Sequence, residues 1–324
     1  MPDSHYVLCV TLNPCLDKTL TVPDWRPGDN VRGTAVREVV GGKGNNVARA
    51  LNRLGRSARP ATFLGGDTGR RCEALLRSDD GFSPLIVSSQ AQTRTILTVR
   101  TSDGAEQTAF FDPDPLITAS EAERFLIAFE EALASGSVAA VTLSGSSPAD
   151  ATHGLYREFV LRSKSAGVPV LVDTYGPASK RLGEVVPDIV QLNRKELAGI
   201  LGKPLQTLEE KESFDWLTSR VRLGAKLAVM TQGPDDILAA SADGFLWRAS
   251  PPPIEPVNPI GSGDSFLAGL CQAWLEKRSP ADSLRFAVAC ATANALEWDA
   301  GAVDEESVRK LVPEVRVTRS DRTS

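Results

Sequence analysis

Short apolar runs bounded by turn residues recur along the chain, at 6–12, 61–64, 138–143, 168–172, 189–192 and 227–230. Each is nearly continuous rather than alternating, as a strand buried on both faces must be. Between these runs the apolar residues follow the helical period. Val47, Ala50, Leu51 and Leu54 form one such stripe, which Gly55 stops. Phe125, Phe129, Ala132 and Leu133 form a second, and Leu284, Ala287, Val288, Ala291 and Ala295 a third. Strand alternating with helix predicts the α/β class, with a mostly parallel central sheet covered by helices.

Two stretches break this rhythm. Residues 94–100 and 107–111 flank Ser102-Asp103-Gly104, and residues 237–241 and 245–249 flank Ala242-Asp243-Gly244. Both are hairpin signals. The segment 17–40 is also partly alternating, with Thr19, Thr21, Val31 and Val39 in β-prone surroundings. Together with the first hairpin it predicts a small β layer set apart from the main sheet. Pro251-Pro252-Pro253 reads as a stiff connector, and the polar tail from Thr318 as frayed.

A length of 324 residues fits about two average domains, but a single α/β domain also runs this long. The reading adopted is one domain over 1–324, with a lid formed by 17–40 and 93–112. Against 36 Lys and Arg stand 41 Asp and Glu, so there is no basic footprint for nucleic acid. The five cysteines are scattered, with neither metal spacing nor a disulfide framework, and the two histidines lie far apart. The first apolar run is too short for a signal peptide, and no run approaches the roughly 18 residues of a membrane span. A cytoplasmic protein is expected.

Four segments could carry chemistry. In Asn258-Pro259-Ile260-Gly261-Ser262-Gly263-Asp264, glycines stand just before the helical stripe Phe266, Leu267, Leu270 and Trp274. Such a main chain approaches a ligand closely, and the helix behind it aims free N–H groups at an anion. Asp264 puts a carboxylate beside that anion, which suits a base accepting a proton from an attacking hydroxyl. It also suits an ordinary helix N-cap. In Gly41-Gly42-Lys43-Gly44-Asn45-Asn46, glycines again precede a helix, with a lysine suited to a phosphate and amides suited to a sugar. No Ser or Thr follows Lys43, so this is not a Walker loop. A plain turn with a solvated lysine is the alternative.

Asn13 and Asp17 follow the first strand, where open α/β sheets bind ligands, although Asn13-Pro14 is also common turn chemistry. Asn193 and Glu196 follow a later strand and match a capping box in outline.

Taken together, these segments resemble the ribokinase-like (PfkB-type) carbohydrate kinases over nearly the whole chain. That resemblance implies a three-layer α/β/α sandwich with a small β-sheet lid. It makes Asp264 the catalytic base, with Gly261, Ser262 and Gly263 forming the anion hole. Thr11-Leu12-Asn13-Pro14 through Asp17, followed by Gly41-Gly42-Lys43-Gly44 and Asn46-Val47-Ala48, is similar to the 1-phosphofructokinase and tagatose-6-phosphate kinase branch. In that branch the counterpart of Asp17 binds sugar hydroxyls, and those of Gly41, Gly42, Lys43 and Asn46 hold the sugar phosphate. Arg94 resembles the lid arginine that meets the sugar's own phosphate. Ser144 begins a segment that resembles the family's Ser-Gly-Ser-x-Pro turn beside the active site. Asn193 and Glu196 resemble the Asn-x-x-Glu motif that organises Mg2+ and ATP phosphates through water. Thr231, Gln232 and Gly233 match the nucleotide loop, and Asn294 lies where a helix borders the adenine.

Three departures stand out. Asp236 replaces the second glycine of the nucleotide loop, Gln191-Leu192 replaces a Lys-Pro pair, and Phe111-Asp112-Pro113-Asp114-Pro115 replaces a Gly-Pro. The resemblance implies ATP-dependent transfer to a primary hydroxyl of a ketohexose phosphate, with fructose 1-phosphate first and tagatose 6-phosphate or fructose 6-phosphate as alternatives. A nucleoside or free-sugar kinase leaves Lys43 and Arg94 without an obvious anionic partner. A sensor that binds sugar phosphate without turnover has no need of a base at Asp264. A dinucleotide dehydrogenase is disfavoured, because no Gly-x-Gly-x-x-Gly follows the first strand. An exposed lid sheet could also pair two copies of the chain.

Overall fold

The structure, a computed structural model, describes residues 5–26, 28–102 and 107–321. The chain enters along β1 (Tyr6–Thr11) and leaves the main sheet for β2 (Cys15–Val22) and β3 (Ala35–Gly41). It returns through α1 (Lys43–Arg53), β4 (Ala58–Leu64), α2 (Gly66–Ser78) and β5 (Leu85–Ser88). A second excursion makes β6 (Arg94–Thr101) and β7 (Gln107–Phe111). The alternation then resumes: α3 (Ala119–Ala134), β8 (Val138–Ser144), α4 (Leu155–Ser165), β9 (Val170–Asp173), α5 (Gly176–Leu182) and β10 (Ile189–Asn193). After α6 (Arg194–Leu201) and α7 (Glu210–Arg222) come β11 (Leu227–Thr231), β12 (Ile237–Ser241) and β13 (Phe245–Ser250). The chain closes with α8 (Ser262–Leu275), α9 (Pro280–Ala295), α10 (Glu305–Leu311) and β14 (Arg316–Asp321).

The main sheet runs β14-β13-β12-β11-β10-β9-β8-β1-β4-β5. From β11 to β5 every pairing is parallel, and the β12, β13 and β14 edge is antiparallel. The continuous apolar strands follow from burial on both faces. In β1, Val7 and Cys9 point into the cluster built with α1, α8 and α9, while Leu8 and Val10 point into the one built with α3 and α4. In the second cluster Phe63 meets Phe125 edge-on at 4.7 Å, and Phe129 stacks on Phe159 at 4.3 Å. Each such ring contributes about 1.5–3 kcal/mol by burial alone. The result is a three-layer α/β/α sandwich.

The other excursions form a separate four-stranded sheet, β3-β2-β6-β7, in which β2 and β6 are parallel. The first hairpin pairs Arg100 with Gln107, and its Asp103-Gly104 turn lies outside the described residues. The second hairpin extends the main sheet instead, as β12 and β13.

The tail expectation is corrected. Thr318 pairs with Arg248, and β14 continues to Asp321; only 322–324 lie beyond the described residues. A polar sequence does not bar an edge strand, because the ladder is made by backbone groups and Val315 anchors its start in the core.

Candidate active site

Parallel strands end on one edge of the sheet, and there the chain leaves a cleft of about 1460 Å³ between the main sheet and the small one. Ser144, Asp173, Asn193 and Thr231, the last residues of β8, β9, β10 and β11, all line it. Asn13 and Asp17 line the same cleft near the root of the small sheet, together with Gly41, Gly42, Lys43, Asn46 and Arg94. Gly261, Ser262, Gly263, Asp264 and Gly233 close it from the other half.

The first turn of α8 is built to receive an anion. Gly261 is the N-cap, in the left-handed region at φ 84°, and a Cβ there would sit 2.7 Å from the Ala300 side chain. Only glycine is accommodated. The Ser262 N–H is used by Pro259 O. Among the described residues the Gly263 and Asp264 N–H groups have no acceptor, so they are free to face a ligand. Gln191 fixes this turn by donating Nε2 to Gly263 O at 2.8 Å.

Asp264 is the third helical residue, not the cap, and makes no capping bond. Its Oδ2 accepts from Asn46 Nδ2 at 2.8 Å. Burial pushes its carboxyl up to about 7, with Asp173 and Glu196 adding to the shift and Lys43 and Asn46 opposing it. A carboxyl poised there can take a proton near neutral pH.

Lys43 is no solvated lysine. Its Nζ lies 3.1 Å from Asp173 and 3.6 Å from Glu196, and 5.3 Å above the Tyr175 ring. Burial opposes its charge, but Asp173, Asp264 and Glu196 outweigh burial and hold it above the ordinary lysine range. Gly44, behind it, permits close packing on β1: a Cβ there would be 2.4 Å from Thr11 Oγ1 and 2.5 Å from Val10 O.

Arg94 lies at the start of β6. It donates to Asn13 O at 3.2 Å and faces Asp114 at 3.4 Å. Asn13 Nδ2 bridges Asp114 and Ser146, at 2.8 and 3.1 Å. Asp17, in β2, has its carboxyl raised by burial against the pull of Arg49. Ser144 Oγ is buried without a partner, while its carbonyl accepts from the Tyr156 hydroxyl at 2.7 Å.

Asn193 and Glu196 do form a capping box on α6. Glu196 Oε2 accepts from Asn193 N at 2.9 Å, which leaves Oε1 on the Lys43 side. Burial raises the Glu196 carboxyl, and Asp173 adds to it.

Three expected site residues stand back from the cleft. Asn294 is fully buried: Oδ1 accepts from Gly301 N at 2.7 Å and Ser265 Oγ at 3.0 Å, and Nδ2 donates to Ile260 O at 2.9 Å. It fastens the loops around the α8 turn instead of lining a wall. Gln232 turns to Arg194 and the Asp236 carbonyl. Glu196 sits behind Lys43. Asp236, in place of glycine, pairs through its side chain with Arg248 of β13 at 3.0 Å, while its carbonyl closes the 231–236 loop by accepting from Gln232 Nε2.

Sequence reasoning missed Asp173, Gln191 and Asp114. Asp173 ends β9, so the strand-end rule applied to Asn13 finds it too. Gln191 and Asp114 sit in two of the three departures from the family pattern, where only their partners in space reveal a purpose.

The pfkB family carbohydrate kinase model matches residues 10–306. A 1-phosphofructokinase of Bacillus subtilis (strain 168) is 29% identical over 314 residues, covering 97% of this chain and 99% of that protein. The crystal structure of phosphofructokinase-2 from Escherichia coli, in complex with potassium, superposes with TM-score 0.85 at 26% identity, covering 96% of this chain and 98% of that one. Arabidopsis thaliana ribokinase, complexed with ribose and ATP, shares the fold with TM-score 0.72 at 20% identity, covering 95% of this chain and 98% of that one. Matched by that family over almost its whole length, this chain belongs to the pfkB carbohydrate kinases and is a phosphotransferase.

Proposed function

We propose that the protein transfers the γ-phosphoryl group of ATP to a primary hydroxyl of a ketohexose phosphate, fructose 1-phosphate before tagatose 6-phosphate or fructose 6-phosphate. The observation that carries this reading is the pairing of a buried carboxyl, Asp264, with free N–H groups at the same helix start. Phosphoryl transfer needs positioning and charge neutralisation more than covalent help. The Gly261-Ser262-Gly263 turn receives the migrating group through the free Gly263 and Asp264 N–H groups, and the Asp264 carboxylate takes the proton of the attacking hydroxyl. Asp17 and Asn46 suit sugar hydroxyls, and Arg94 suits the phosphate the sugar already carries. ATP extends over the 231–236 loop and the Pro251-Pro252-Pro253 wall, which also line the cleft.

Lys43 is one ammonium among three carboxyls, Asp173, Glu196 and Asp264. Phosphates entering this cluster need a further cation. Among the described residues no group of three or more His, Cys, Asp or Glu could hold a metal by itself. Mg2+ keeps waters and binds largely through substrate phosphates, so it needs few direct protein ligands. Glu196, with one oxygen outside its capping box, fits as a partner through water. When bound, the ion neutralises charge on the transferring phosphates.

The small sheet, whose residues line the cleft opposite the main sheet, supports a single domain, 1–324, with residues 17–40 and 93–112 as its lid. The edges β3 and β7, with Val36, Phe110 and Phe111 exposed, support a homodimer through that sheet. Free buried cysteines support a reducing, cytoplasmic setting. Among the described residues no helix is long and apolar enough to cross a membrane.

An ATP-consumption assay across fructose 1-phosphate, tagatose 6-phosphate, fructose 6-phosphate, fructose and adenosine tests the reading. The highest kcat/KM is expected on fructose 1-phosphate. Preference for fructose or adenosine overturns the sugar-phosphate assignment.

A further inference from the structure

Asn46 reaches Asp264 from α1, and the direction in which its amide points decides what Asp264 meets. An amide offers a carbonyl oxygen on one side and an NH2 on the other, and the two are interchanged by a flip. Arg49, one turn along α1, donates Nη1 to Asn46 Oδ1 at 3.0 Å. A guanidinium has only donors, so the Asn46 oxygen must face it and the NH2 must face Asp264. Arg49 is itself immobilised. Its Nε donates to Asp80 Oδ1 and its Nη2 to Asp80 Oδ2, both at 2.8 Å, and Nη2 also donates to Val40 O at 2.8 Å. The pair is largely buried, with side-chain exposures of 14% and 18%.

We propose that Arg49, locked by Asp80, is a positioning residue that holds the Asn46 amide with its NH2 toward the Asp264 carboxylate and so sets the protonation of the base. The inference rests on Asp264 acting as the base. The chain of contacts runs Asp80, Arg49, Asn46, Asp264, with donor and acceptor matched at each link. An Asn46 released from Arg49 can turn its oxygen to Asp264, which favours the protonated acid. The other charges facing Asp264 are Lys43 on α1, Asp173 on β9 and Glu196 on α6, and the hydrogen bonds of Arg49 go to none of them.

The test is a double-mutant cycle between Arg49→Met and Asn46→Ala, read as the pH profile of kcat, with Asp80→Asn as a second and gentler probe. Arg49→Met is expected to move the acid limb upward by about half to one pH unit, the range expected on losing a hydrogen bond to a charged carboxylate. Asp80→Asn should move it the same way by less. In the Asn46→Ala background, Arg49→Met should add no further shift. An equal shift in both backgrounds, or an unmoved limb in Arg49→Met and Asp80→Asn alike, overturns the inference. If Asp264→Asn retains wild-type turnover, the base assignment itself falls. If Asp264→Asn is inactive while the Arg49 and Asp80 variants keep the wild-type profile, only this inference falls.

Discussion

The Lys43 ammonium lies 3.1 Å from the Asp173 carboxylate, which places the glycine-loop lysine of α1 at the end of β9 in the middle of the cleft. The contact joins the two halves of the site. It also keeps Lys43 charged in a buried cluster where, among three carboxyls, Asp264 carries a carboxyl pushed up to about 7.

Asp264→Asn is expected to fold normally and to lose about 10²–10⁴ in kcat, the contribution of a positioned general base. Steady-state kinetics with far-ultraviolet circular dichroism as the folding control checks this. Turnover near the wild-type rate would falsify the role.

The activity should fall as pH drops through about 7, because the base must be ionised and burial raises its carboxyl to about 7. The acid limb of kcat/KM, which reports the free enzyme, is the measurement. A limb centred near the ordinary carboxylate range argues against a buried base.

Stability carries the opposite sign. A carboxyl raised in the folded state binds more protons there than in the unfolded chain between about 4 and about 7. Its contribution is therefore fully present below about 4 and is lost as pH rises through about 7. Asp264→Asn should raise Tm relative to wild type at pH 8, with the gap shrinking toward pH 5. Thermal melts across that window decide it.

Arg94→Ala should raise KM for the phosphorylated sugar about 10- to 100-fold, as expected on losing a charge-assisted hydrogen bond of about 1.5–3 kcal/mol. KM for ATP should change little. A selective rise in KM for ATP instead reverses the placement of the two substrates.

Gly44→Ala should destabilise the fold by about 1–3 kcal/mol, because the added carbon enters space held by Val10 O and Thr11 Oγ1. Urea denaturation measures it as a lower midpoint with an unchanged slope.

Much of the fold was legible along the chain. The continuous apolar runs became the parallel strands because burial on both faces leaves no room for polar alternation. Residues 94–100 and 107–111 paired in the small sheet as their hairpin signal required. The tail misled, because its polar side chains concealed a backbone free to pair with β13. Asn294 misled differently: its position near the site was legible, but its amide faces the loops around α8.

The sequence by itself determined the α/β layering and the glycine-bearing helix starts, since both follow from local spacing and backbone freedom. Tertiary structure alone decided that Asp173 would meet Lys43, that Gln191 would hold the α8 turn, and that Arg49 would orient Asn46 toward Asp264. Most of these contacts join residues far apart in the chain, and all depend on which groups face which once water is gone. A hydrogen bond or charge has its strength, and a carboxyl its proton affinity, only from the partners that folding brings within about 3 Å.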